Sequence, residues 1–424
     1  MQIIKYPSRQ DWKKIVERPA FDYSRLFDYV KNILDDVRFN GDKAVAAYGE
    51  KFDKVSLKNF EVTSAEIDEA EKLVSQTLKD AIRLAATNIE TFHNAQKTVS
   101  QKVETMPGVV CWQKATGVEK VGLYIPGGTA PLFSTVLMLA IPARIAGCKE
   151  IILCTPPSKD GTIHPAIMYT ARLAGINRIF KIGGVQAIAA MTYGTETVPN
   201  VYKIFGPGNQ YVTAAKQLVA MCDVAIDMPA GPSEVQIIAD NTSNPAFVAA
   251  DILSQAEHGT DSQAILVTTH EEIVEKTVAQ IERQLNELPR KDMAKQALEH
   301  SRTVILKDNS EVIDFTNTYA PEHLIIETGD YAALAEQITN AGSVFLGHFT
   351  PESAGDYASG TNHTLPTNGY ARMYSGVNLD SFVKKITFQE ITQKGLFNIG
   401  GAIETMAQAE SLLAHSNAVS VRMF

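Results

Sequence analysis

The sequence predicts an α/β protein of two incomplete Rossmann-like parallel-sheet domains, with a helical N-terminal segment and a C-terminal tail. Three observations carry this. From residue 118 onward short apolar runs alternate with helical segments, a spacing that folds as right-handed βαβ units with helices on both faces of a parallel sheet. The runs of this first series are followed closely by Gly or Pro, as strand ends are. A second series of the same kind begins at residue 235, and 424 residues are too many for one ordinary core.

Taken in order, residues 1–22 read as an N-terminal arm. Helical periodicity follows over 23–38 and 66–96, with acids early and bases later. The first series places strands at 121–126, 150–154, 178–183, 202–206 and 224–227, with helices between them. The second places strands at 235–239, 264–267, 303–306, 323–327 and 343–347, with a long charged helix over 271–288. The stretch after 376 is strand-like at first and helical over 402–414. With no linker or low-complexity segment, boundaries rest on pattern change alone. They group 23–123 with 235–375 as a first α/β domain, 124–234 as a second, Rossmann-like domain, and 376–424 as the tail.

Composition narrows the function. Hydrophobic content of 45% with 21% charged residues fits a soluble globular enzyme. A net charge of −9, with no Lys/Arg patch interleaved with aromatics, argues against nucleic acid as a partner. The longest apolar run, 131–146, is broken by Ser134, Thr135, Pro142 and Arg144 and is too short to span a membrane. The N-terminus lacks a secretory signal pattern, and Cys111, Cys148, Cys154 and Cys222 have no paired metal spacing. A reducing, cytoplasmic setting is expected.

Several constellations can carry chemistry. Asp251, Gln255 and His258 stand at i, i+4 and i+7 on a helix expected from about 245 to Gly259, so a carboxylate, an amide and an imidazole share one face. Such a stripe can hold a metal or a polar ligand, although most polar stripes are solvated faces. Tyr124-Ile125-Pro126-Gly127-Gly128, Gly183-Gly184 and Gly206-Pro207-Gly208-Asn209 are three Gly-bearing strand ends in one sheet, which together point to a nucleotide crevice beyond the strands' carboxyl ends. The last falls short of the full dinucleotide fingerprint, because Tyr211 occupies the third glycine position. Ser233 stands in a tight turn, Ala230-Gly231-Pro232-Ser233-Glu234.

Glu322 and His323 open a strand. They are equipped for two separate proton transfers, but share a site only if the backbone is still bent at Pro321. Thr350 reads as the cap and Pro351 as the first residue of a short helix, with Asp356 one turn in and His363 seven residues further on. Glu410 and His415 diverge by about 140° on an ideal helix, so one shared site requires His415 to lie past a helix end near Ser416-Asn417. With no Cys-x-x-Cys or His-Glu-x-x-His motif, a metal would take nitrogen and oxygen ligands from distant segments, a set that suits zinc apart from its amide.

Six ordered blocks then resemble the histidinol dehydrogenases nearly end to end: the stretch from Gly127 to Val136, Gly206-Pro207-Gly208-Asn209, the turn from Ala230 to Val235, the stretch from Ser254 to Gly259, Ala320-Pro321-Glu322-His323-Leu324, and the stretch from Gly355 to His363. The resemblance implies oxidation of L-histidinol through the aldehyde to L-histidine with two NAD, on a zinc-containing intertwined homodimer whose tail crosses to the partner. It implies Gln255, His258, Asp356 and His415 as zinc ligands and Glu322 and His323 as proton-transfer residues. Substrate contacts would be Ser233, His363 and Glu410 together with His323 and the zinc ligands, and NAD contacts Tyr124, Gln186 and Asn209. The alternatives are another NAD-linked amino-alcohol dehydrogenase, or a zinc hydrolase using Glu322 as its base.

Overall fold

The computed structural model describes residues 1–18, 24–127, 130–229 and 231–423. Gly128 and Thr129 of the first glycine-bearing strand end, Ala230 of the serine turn, and the expected arm beyond residue 18 lie outside them.

Two parallel sheets dominate, as the alternation predicts. The five-stranded sheet contains β4 (Lys120–Tyr124), β5 (Glu150–Thr155), β6 (Arg178–Lys181), β7 (Lys203–Phe205) and β8 (Ala225–Ile226), in the order β6-β5-β4-β7-β8. The six-stranded sheet contains β1 (Gln2–Lys5), β9 (Glu234–Ala239), β10 (Gln263–Thr268), β11 (Arg302–Ile305), β12 (His323–Glu327) and β13 (Ser343–Leu346), in the order β1-β11-β10-β9-β12-β13. A third, antiparallel sheet joins β2 (Val103–Met106), β3 (Val109–Gly117) and β14 (Val383–Ile391).

Side chains alternate faces along each strand, so each parallel sheet is lined by two cores. In the five-stranded sheet Val121, Leu123 and Leu153 pack under helices Gln76–Asn94 and Phe133–Ala146, while Ile152, Cys154 and Ile204 pack under helices Ser24–Tyr48 and Gly184–Tyr193. In the six-stranded sheet Val235, Ile237 and Leu266 face helix Pro245–Ala256, and Ile238, Ile265 and Leu324 face Trp12, Ile15 and Phe315.

Two domain expectations are corrected. The first residues are no arm: β1 pairs along its length with β11, and Trp12 and Ile15 are buried in the core. The early helices do not join 235–375. Val30, Ile33, Leu34 and Val37, and Ile82, Ala85 and Ile89, bury their apolar stripes on the five-stranded sheet's own helices. Amphipathic periodicity says that a face is buried, not against which sheet. The β2–β3 hairpin lies between the expected helices and the first strand series, where no element was expected; its strands are mostly exposed or half-buried and carry no core-facing alternation. No helix among the described residues is long and apolar enough to cross a membrane.

Gly206 follows β7 with φ +129°, and a Cβ there would clash with the Tyr124 carbonyl oxygen. The strand ends pack backbone to backbone at this point. Gly206→Ala should therefore destabilise the protein by at least about 2 kcal/mol, from left-handed strain and overpacking together. Thermal unfolding checks this; an unchanged midpoint would refute the close approach.

Candidate active site

A cavity of about 580 Å³ opens between the two parallel sheets. From the five-stranded sheet it meets the carboxyl ends of the strands: Pro126, beyond β4, and Gly206 to Asn209, beyond β7. From the six-stranded sheet it meets the amino ends: Ser233 before β9, Ser262 before β10, and Glu322 and His323 at β12. The expected carboxyl-end location thus holds for one sheet, while the other contributes its opposite edge.

Of the stripe on helix Pro245–Ala256 and its end, only His258 is solvent-exposed. Asn244 caps this helix by accepting from the Ala246 N–H, and Pro245 fills its first turn, where no N–H is needed. Asp251 and Gln255 are buried. His258 lies just past the helix end, its N–H donating to the Gln255 carbonyl at 3.2 Å, so it stays on the stripe. Gln255 is 0% exposed, lines the cavity, and neither its amide oxygen nor its amide nitrogen has a partner among the described residues. A buried amide without a partner is costly and calls for a ligand. Asp251 does not line the cavity; burial and the nearby Glu327 push its carboxyl up to about 7.

Glu322 and His323 do share the site. Helix Asn309–Tyr319 ends on Ala320 in the left-handed region (φ 53°), so the chain turns sharply just before Pro321. Both side chains are buried and both line the cavity. Glu322 Oε2 accepts from the Glu234 N–H at 2.9 Å, and His323 Nδ1 lies 3.2 Å from the Glu234 carbonyl oxygen. Since a carbonyl can only accept, Nδ1 carries the proton and Nε2 faces the cavity, 3.7 Å from Asp356 Oδ1 and without a hydrogen bond.

Helix Glu352–Tyr357 brings Asp356 into the cavity, with Pro351 at the cap position and the Thr350 hydroxyl donating to the Leu346 carbonyl rather than capping. His363 also lines the cavity; its Nδ1 bonds the Asp356 carbonyl at 2.9 Å and its Nε2 the Thr135 hydroxyl at 3.0 Å. Glu352, read from the sequence only as a helix start, is buried here. Its ligand atom lies with those of His258 and Asp356, all within 4.8 Å of one another. An acid at the first helical position is favoured by the helix dipole wherever it sits, which hides such a residue in a sequence.

Negative charge sets the electrostatics. Burial pushes Glu322 up to about 7. Burial and the neighbouring carboxylates Asp356, Glu322 and Asp251 also push Glu352 up, against the pull of His323. For His323 burial works in the other direction, but the bare carboxylates of Glu352, Glu322 and Asp356 outweigh it and raise the imidazole; a cation held among them would oppose that pull and favour the neutral form a base needs. Asp356, despite its burial, is held below the usual carboxylate range by the surrounding imidazoles. A bound cation would relieve this excess of buried negative charge. Together with the unpartnered Gln255 amide, it makes the residues present fit a metal.

Asn209 lines the cavity and caps helix Gln210–Ala220, accepting from the Tyr211 and Val212 N–H groups. That helix turns its N-terminus to the cavity, a position suited to an anionic group. Buried Lys216 and Asp227 pair at 2.5 Å and hold Gly206 by its carbonyl and its N–H. Tyr124 and Gln186 do not line the cavity, although they share the five-stranded sheet's carboxyl edge. The Tyr124 hydroxyl accepts from the Gly184 N–H, and the Gln186 amide nitrogen reaches Asp53 at 3.4 Å.

Glu410 and His415 do not line the cavity of their own chain. The expected single helix over 402–414 is two: Gln393–Ala409 and Leu413–Ser420, broken at Ser411 with φ 60°. Glu410 caps the first and His415 lies inside the second, rather than past a helix end, and both are exposed.

A family model described as histidinol dehydrogenase matches residues 16–423. The chain is 66% identical over 423 residues to the histidinol dehydrogenase of Bacteroides fragilis and 64% identical to that of Bacteroides thetaiotaomicron, covering 100% of this chain and 99% of each relative. It superposes on the crystal structure of histidinol dehydrogenase from Elizabethkingia anophelis with a TM-score of 0.98 at 58% identity, covering 100% of this chain and 98% of that one.

Proposed function

The chain belongs to the histidinol dehydrogenase family, and from that premise we propose that it oxidises L-histidinol, through the aldehyde, to L-histidine, with two NAD per turnover and one zinc per subunit. The observation that carries this reading is the convergence on one cavity of two buried bases, Glu322 and His323, with the unpartnered amide of Gln255 beside His258 and Asp356.

Gln255, His258 and Asp356 would hold zinc, with His415 coming from the tail of a second copy. Zinc would supply a template that orients the imidazole and amine of the substrate, and NAD, held by Tyr124, Gln186 and Asn209, would supply the hydride acceptor. Ser233, His363 and the second copy's Glu410 would contact the substrate. In the first oxidation His323 Nε2 takes the alcohol proton. His323 passes that proton to solvent, Glu322 deprotonates the water that attacks the aldehyde carbon, and the freed His323 Nε2 takes the hydroxyl proton of the resulting hydrate in the second oxidation.

Support for a homodimer with shared sites comes from the tail. β14 pairs with β3 as an antiparallel ribbon, and Phe388, Phe397, Met406, Leu413 and Val421 along it and the helices beyond are exposed apolar side chains. Such a run of apolar surface marks a protein interface. The four cysteines are free thiols, which accords with a reducing compartment.

The test is purified protein with histidinol and NAD, counting NADH against histidine. Two NADH per histidine is expected. NADH from simple amino alcohols but not from histidinol would favour another NAD-linked dehydrogenase, and turnover without NADH would favour a hydrolase. The metal is tested separately: Asp356→Ala should weaken zinc binding by at least roughly 10–100-fold, read by competition with a chromogenic chelator. Native affinity in that variant would remove Asp356 from the ligand set.

A further inference from the structure

The two bases rest on one residue that the reading above does not use. Glu234 opens β9 next to β12, where Val235 stands opposite His323. Its carboxylate accepts from the Glu322 N–H at 3.2 Å while its own N–H donates to Glu322 Oε2 at 2.9 Å, so each residue grips the other's backbone. Its carbonyl accepts from His323 Nδ1. The carboxylate is 2% exposed and is paired on its far side with Arg18, whose Nη2 donates to Glu234 Oε1 at 2.9 Å and to the Tyr319 carbonyl at 2.7 Å. The guanidinium lies over the Tyr319 ring at 4.0 Å, and the Tyr319 hydroxyl donates to Gln263.

We propose that Glu234, locked by Arg18, is a positioning residue for both bases: it holds Glu322 so that one carboxylate oxygen remains free for the cavity, and it fixes the His323 tautomer that leaves Nε2 as the basic nitrogen. The inference rests on the proton-transfer roles proposed above. Physically, a fully satisfied buried network restricts each base to one rotamer. Arg18 supplies a planar fork that matches a carboxylate bidentately, which a lysine does not. Both Glu234 oxygens accept from Arg18, one from Nε and one from Nη2. Arg18 and Glu234 are 216 positions apart, which is why no motif reveals the pair.

The test uses the full-length, zinc-loaded enzyme, with histidinol and the aldehyde supplied as separate substrates. In Glu234→Gln, kcat for aldehyde oxidation should fall roughly 10–100-fold, more than kcat for histidinol oxidation, with KM for histidinol and zinc content within about twofold of wild type. Arg18→Lys should retain more activity than Arg18→Met at matched thermal stability, a rescue that a merely structural ion pair would not give to kcat alone. Should Glu234→Gln fail to fold, the Arg18 pair carries the test. Wild-type kcat in folded Glu234→Gln, or wild-type kcat in folded Arg18→Met, overturns the positioning role. A wild-type enzyme that does not form two NADH per histidine overturns the functional reading instead, so the two failures are separable.

Discussion

Replacing His323 with Asn should lower the rate of both oxidations by roughly 10²–10⁴, the usual range for removal of a general base. Asn is smaller, but its amide N–H can stand in for Nδ1–H as donor to the Glu234 carbonyl, so the backbone arrangement should survive. What it lacks is a nitrogen that can accept a proton where Nε2 now stands, unpartnered and turned to the cavity. In the proposed mechanism both steps need that acceptor, first for the alcohol and then for the hydrate. Steady-state rates with histidinol and with the aldehyde, each followed by NADH absorbance, give the two numbers. If aldehyde oxidation kept its rate while histidinol oxidation collapsed, His323 would serve only the first step.

Glu322→Gln should divide the reaction. Aldehyde oxidation should fall by roughly 10²–10⁴, because nothing else in this arrangement is assigned to activate water. Histidinol oxidation should persist at a reduced rate, and NADH per molecule of histidinol consumed should move from two toward one as aldehyde escapes. Burial sets Glu322 at about 7, close to the working pH of a general base that must both take and release a proton. The amide preserves shape and one acceptor for the Glu234 N–H but cannot accept the water proton. Conversion of aldehyde to histidine at the normal rate in this variant would falsify the water-activation role.

The two predictions differ because adjacent residues have been brought to one cavity by a turn that the sequence marks only with Pro321. A regular strand would send Glu322 and His323 to opposite faces. The left-handed Ala320 supplies the bend, and alanine is not a residue from which positive φ is read. Gln255 and His258 were legible, since helical period alone puts them on one face, and Asn244 and Pro245 mark where that helix starts. Their burial was not legible, because an isolated polar stripe is equally compatible with solvent. Glu352 was missed because its position explains it without a site. The break at Ser411 carries neither Gly nor Pro, so the tail reads as one helix. Tyr124 and Gln186 were expected with Asn209, yet of the three only Asn209 lines the cavity.

Local order along the chain determined which segments became strands and which helices, because hydrophobic period and turn chemistry act over a few residues. It also brought forward Ser233, Gln255, His258, Glu322, His323, Asp356 and His363 as candidates, and these line one cavity. Only the tertiary structure decided that β1 closes an edge of the six-stranded sheet, that the early helices cover the five-stranded one, and that Arg18, Glu234 and Glu322 form one buried network. Those choices depend on pairing between segments hundreds of residues apart, where the free energy lies in mutual burial and register rather than in the preferences of either segment alone.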